Sequence, residues 1–216
     1  MTNIEILLSK GYNKEMLIKM AIRNIQISND KGNDINEFFE YLSKKGYSEK
    51  AVFIMIKQTP DVLKRSVKDL DDRFEYFLSK GFTNKQVIHM TSLAPELFVA
   101  RKIVIDEKID FYRQIKVDRA LLDNPRKYRQ SIDLTYARYE CLKSKGYMLD
   151  CVNCGILFVN DYYFERKFGI KKQTLLDLYS YSDYVKAKRQ NNRTLIRRSL
   201  ENIAHKKKSQ INKEGI

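Results

Sequence analysis

A chain of 216 residues with 43% hydrophobic residues, 8 glycines and 3 prolines is long enough to bury a core and too apolar to be broadly disordered. Its net charge of +14, from 41 Lys and Arg against 27 Asp and Glu, points to polyanionic partners: nucleic acid, an anionic membrane surface or an acidic protein. Three cysteines exclude a fully paired disulfide framework, and no apolar run approaches the ~20 residues that span a bilayer. The start, Met1-Thr-Asn-Ile-Glu, shows no signal-peptide core and no Arg/Ser-rich transit peptide, so the expected location is cytoplasmic. The expected oligomeric state is a monomer.

Taken in chain order, the elements repeat. A first helix through Leu7 and Leu8 ends at Gly11, and Asn13 is placed to cap the next, which runs towards Ile25. Gly46 precedes Pro60 by 14 residues, Gly81 precedes Pro95 by 14, and Pro60 precedes Gly81 by 21. Pro125 precedes Gly146 by 21 as well, but Lys116, which stands 21 after Pro95, precedes Pro125 by only 9. The unit is thus about 35 residues, once shortened by five, and such a period marks a stacked-unit architecture. The expected units are about 1–25, 26–60, 61–95, 96–125 and 126–168 with a closing helix, making a repeat domain over 1–181 and a basic tail over 182–216.

The residues at these points explain the period. Lys44-Lys45-Gly46 and Lys80-Gly81 put cations at a helix C-terminus and glycine at the left-handed position beyond it. An aromatic follows, then Ser48 or Thr83 as an N-cap, with Asp118 in the same part in the shortened unit. Proline stops the capped helix, and a longer amphipathic helix such as 70–80 or 105–114 returns. A helix, a proline turn and a second helix cannot bury an apolar face alone, whereas neighbours in series can. The fold class is all-α.

Aligned on the prolines, the second helices place Arg73, Lys108 and Arg138 at one position and Glu75, Asp110 and Glu140 two residues on, about 200° around the helix. The basic set reads as a stripe for phosphates or as inter-repeat ion pairs. The proline turns add Lys64-Arg65, Arg101-Lys102, and Arg126-Lys127 with Arg129, near helix starts whose N–H groups also attract phosphate. From Tyr184 onward the chain holds ten basic and two acidic residues. There Arg189, Arg193 and Arg197 fall on one helical face beside Arg198, with Lys206 to Lys208 beyond. Most of the 25 Tyr and Phe residues sit at core spacing. Tyr162, Tyr163, Tyr179, Tyr181 and Tyr184 are less obviously core and are candidates for base stacking.

Catalytic chemistry is not evident. Cys151-x-x-Cys154 with Cys141 falls short of the four ligands of a structural zinc site, and His89 and His205 sit in no acid–base motif. No catalytic residue, metal, cofactor or small-molecule substrate is expected. The functional reading is a nucleic-acid-binding helical repeat protein, for DNA or RNA. The alternative is a protein–protein scaffold with a solubilising tail, which would lose all polyanion affinity when residues 186–216 are removed.

The pattern Gly-aromatic-Ser/Thr, apolar helix, Pro-x-Leu and Phe-x-x-x-Leu-x-x-x-Gly resembles the mitochondrial transcription termination factor (mTERF) repeat. The best stretch is Phe39 to Lys108, with Thr59-Pro60-Asp-Val-Leu63 and Ala94-Pro95-Glu-Leu-Phe98. Ala137-Arg138-Tyr139-Glu-Cys-Leu142-Lys-Ser-Lys-Gly146 looks like the last full repeat, and Val159 to Phe168 like the closing helix. The resemblance implies a right-angled α-solenoid with a basic concave face and nucleic-acid binding in transcription or transcript fate. A start so close to the first repeat suggests a short, non-organellar relative.

Overall fold

The computed structural model describes residues 2–23 and 35–194, which are helical with no strand among them. The expected all-helical fold holds for these residues. The boundary expected at 25/26 lies outside them, as do Arg197, Arg198, His205 and Lys206 to Lys208. The contacts divide the chain into two compact units, Met1–Gln130 with Leu149–Gly155, and Ser131–Met148 with Ile156–Ile216.

The first unit runs α1 (Asn3–Ser9), α2 (Lys14–Arg23), α3 (Ile35–Lys44), α4 (Glu49–Gln58), a 3-10 turn (Pro60–Lys64), α5 (Val67–Ser79) and α6 (Asn84–Leu93), then α7 (Glu96–Val99), α8 (Lys102–Gln114), α9 (Asp118–Asp123) and a second 3-10 turn (Pro125–Arg129). Capping fixes several of the starts. Asn13 Oδ1 accepts from Met16 N–H at 2.8 Å and Ser48 Oγ from Ala51 N–H at 3.2 Å. Thr83 and Gln86 bond reciprocally as a capping box,. Asp118 differs from its expected role: it is the first residue of α9 rather than the residue before it, and there its charge still favours the positive helix end.

The helix ends share one geometry. Tyr12, Tyr47, Phe82, Val117 and Tyr147 each donate their N–H to the carbonyl five residues back, that of Leu7, Leu42, Phe77, Tyr112 and Leu142. These five acceptors are all 0% exposed, so one bond both closes each helix and registers it on the core. The residue between must adopt a left-handed backbone, and Gly11, Gly46, Gly81 and Gly146 do so at φ of 80° to 97°. The fifth is Lys116, at φ 58°. It is a complete helix end built without glycine, and a side chain in that region costs about 1 kcal/mol or more. Lys116→Gly is expected to raise the unfolding free energy by about 0.5–1 kcal/mol, the relief of strain exceeding the entropy that glycine adds to the unfolded chain. Urea denaturation checks this, and a destabilised variant would contradict it.

The prolines also act alike. Thr59, Ala94 and Asn124 precede them at φ near −135° and ψ of 70° to 83°, outside the helical region as the following ring requires. Pro60, Pro95 and Pro125 are themselves buried. The first helices of successive pairs pack in series, α4 on α6 and α6 on α9. The second helices are tied by a recurring polar set. Tyr41 donates to Asp71 Oδ1 at 3.0 Å and Lys45 reaches the same atom at 2.8 Å; Tyr76 donates to Asp106 Oδ1 at 2.7 Å, and Lys80 pairs with it.

The second unit holds α10 (Ile132–Ser144), α11 (Asp161–Phe168), α12 (Lys172–Leu178) and α13 (181–194). α10 packs on α12. Tyr136 on α10 meets Tyr181 and Tyr184 of α13 at ring-centroid distances of 5.6 and 5.0 Å. That contact docks the start of α13, whereas residues 186–194 are exposed throughout.

Candidate nucleic-acid interface

The aligned cations are not on a surface. Arg73 and Lys108 are 9% exposed and Arg138 1%. Arg73 Nη2 donates to the Ala100 carbonyl at 2.5 Å, and Lys108 Nζ donates to the Tyr128 carbonyl. Arg138 Nη1 donates to Leu157 and Val159 carbonyls at 3.0 and 2.6 Å, and its Nη2 to Asp161 Oδ1 at 2.7 Å. Each cation therefore fastens its helix to the main chain of the segment that follows, at or just after its turn. Burial pulls all three pKa values down, opposed at Lys108 by Glu96 and at Arg138 by Asp161. The expected stripe of phosphate-binding cations is corrected here: the register is real, but long flexible stems let these groups turn inward to main-chain carbonyls.

The inter-repeat ion pair that forms takes Glu75 from the aligned acids but its cation from elsewhere. Lys45 holds Asp71 and Glu75, while Glu140 pairs with Lys143 and Glu40 with Lys44, each within its own helix. Asp110 is exposed.

The turn cations divide into two kinds. Arg65 donates to the Val99 carbonyl at 3.1 Å, and Arg129 bonds Glu96 at 2.6 Å and Gln58 at 3.1 Å. These bonds link the turn at Pro60–Lys64 to α7 and α7 to the turn at Pro125–Arg129, so the three turns form one row along the first unit. Lys64, Arg101, Lys102 and Arg126 are exposed along that row. Lys64 is shared with Asp61 at 2.7 Å, and Lys102 lies over the Tyr76 ring at 5.3 Å. The start of α8 falls in the same place. It has no side-chain cap and no acidic residue in its first turn, unlike α5, where Ser66 and Asp69 form a capping box. Arg101, Lys102 and the first N–H groups of α8 together favour an anion.

A second basic place lies between α6 and α9, where Lys85, Gln86, His89, Arg119, Leu122 and Asp123 line an open cleft. The sequence reading missed Lys85 and Arg119. Lys85 stands 35 residues after Lys50, so the repeat register holds a signal for it, but on the first helices, whereas the prolines align the second. In the second unit Arg189 and Arg193 are exposed, four apart on α13.

Cys154 is buried and its thiol donates to the Cys151 carbonyl at 3.6 Å, while Cys151 is exposed. Burial pushes the Cys141 and Cys154 thiol pKa values up. Among the described residues no group of three or more His, Cys, Asp or Glu is placed to hold a metal, and no helix is long and apolar enough to cross a membrane.

No curated protein matches the chain. The mTERF family model matches residues 1–165, covering the recurring helix ends and the proline turns. With that match over most of its length, the chain belongs to the mTERF family of helical repeat proteins.

Proposed function

We propose that the chain binds nucleic acid through its sugar–phosphate backbone, held along the row of proline turns in the first unit. The observation that carries this is the row itself: Lys64, Arg101, Lys102 and Arg126 stay exposed there, while Arg65 and Arg129 hold the turns together. A fixed line of cations beside an uncapped helix start suits a polyanion better than an apolar peptide. The five like helix ends support a count of about five repeat units. The exposed Arg189 and Arg193 add charge for binding from α13. In this reading the protein acts by binding and carries no catalytic chemistry, and its role lies in transcription or transcript fate.

Binding to duplex and single-stranded oligonucleotides, followed by fluorescence anisotropy from about 50 to 200 mM salt, is the test. Affinity is expected to fall with log salt at roughly 0.7–0.9 per phosphate neutralised. A chain lacking residues 186–216 is expected to keep a weaker, still salt-dependent affinity. Loss of all affinity on that truncation would return the scaffold reading, and no binding by the full chain at low salt would refute the proposal.

A further inference from the structure

Helix α11 is held by one face and bare on the other. Phe164 is 1% exposed and lies under the Arg138 guanidinium, 4.7 Å from it, while Phe168 packs on Phe164 at 4.7 Å and on Tyr147 at 5.6 Å. Arg138 and Lys172 both bond Asp161 at the helix start, and Gly169 closes the end in a left-handed conformation. At 100° per residue, the opposite face carries Tyr162, Arg166 and Tyr163, with the exposed Lys167 on its flank. Tyr162 is 72% exposed and Tyr163 48%, and Lys167 lies 6.0 Å from the Tyr163 ring.

Neither ring contributes to the core, and the short segment around them is cationic: Arg166, Lys167, Lys171 and Lys172 stand against Asp161 and Glu165 over 161–172, with Lys172 held by Asp161. Exposed rings alternating with cations on a rigid support are what unpaired bases and their phosphates require. The ring takes the base face and the neighbouring cation takes the backbone. A duplex hides its base faces, so it can use the cations here but not the rings.

We infer that the outer face of α11 is a stacking platform for unpaired bases of single-stranded nucleic acid, with Tyr162 and Tyr163 as the stacking rings and Arg166 and Lys167 as phosphate contacts. This rests on the nucleic-acid-binding reading above and adds the class of strand. The test compares the full chain with Tyr162→Ala/Tyr163→Ala and Tyr162→Phe/Tyr163→Phe, using oligo-U, oligo-dT and a duplex of mixed sequence. The alanine pair is expected to lose about tenfold or more in affinity for both single strands and less than about twofold for the duplex, with the phenylalanine pair like the parent. A 5-iodouridine strand is expected to photo-crosslink to Tyr162 or Tyr163. If the parent binds single strands and the alanine pair binds them equally well, this inference is wrong and the turn-row reading stands. If the parent binds no nucleic acid at all, both fall.

Discussion

Arg138→Met is expected to destabilise the second unit by about 3 kcal/mol or more. The side chain is 1% exposed and satisfies two backbone carbonyls and a carboxylate while covering Phe164. Removing it takes a charged donor from the buried Leu157 carbonyl and the part-buried Val159 carbonyl, together worth about 2–3 kcal/mol, and loses the cation–ring contact with Phe164,. At this chain length the loss corresponds to a fall in Tm of roughly 6–12 °C. Arg138→Lys is expected to recover only part, because an ammonium cannot present the planar fork that spans Leu157, Val159 and Asp161. Thermal and urea denaturation read the effect. The same variant separates the two roles that the sequence left open. If Arg138 touched phosphate, the salt slope of duplex binding would drop by about one; the slope is expected to stay unchanged wherever the variant is folded.

The second large effect is expected from Arg101→Glu/Lys102→Glu/Arg126→Glu. All three residues are exposed along the row of turns, so each change is expected to move stability by no more than about 0.5 kcal/mol. Duplex affinity at about 50 mM salt is expected to fall a hundredfold or more, with the salt slope reduced by roughly two to three if each cation neutralises one phosphate. An unchanged slope would mean that the row is a solvated edge and that the grip lies elsewhere, the Lys85 and Arg119 cleft being the next place to mutate.

Caps, prolines and glycine-ended helices were legible because their chemistry is local: Ser48, Thr83 and Asn13 cap within three residues of themselves. The register of Arg73, Lys108 and Arg138 was legible for the same reason. Their direction was not, since the partner of each includes a main-chain carbonyl, which has no signature in sequence. A cation at a helix surface and a cation reaching inward look alike until the partner's position is known. Lys116 was legible as a place in the count, but nothing in its neighbours announces that lysine takes the left-handed conformation. The tyrosines near the tail show the same limit. Tyr181 packs against Tyr136 and is 8% exposed, whereas Tyr162 is 72% exposed, and only packing tells them apart.

The carbonyl fastening at Arg73, Lys108 and Arg138 has a consequence for how such a chain can change. A carbonyl is present whatever residue bears it, so Ala100, Tyr128, Leu157 and Val159 can be exchanged for other residues of similar fit without removing the acceptor. Only the reaching cation is fixed in kind. Joints of this sort tolerate drift on one side, which lets neighbouring units diverge in sequence, or be transplanted between relatives, while the join between them is kept.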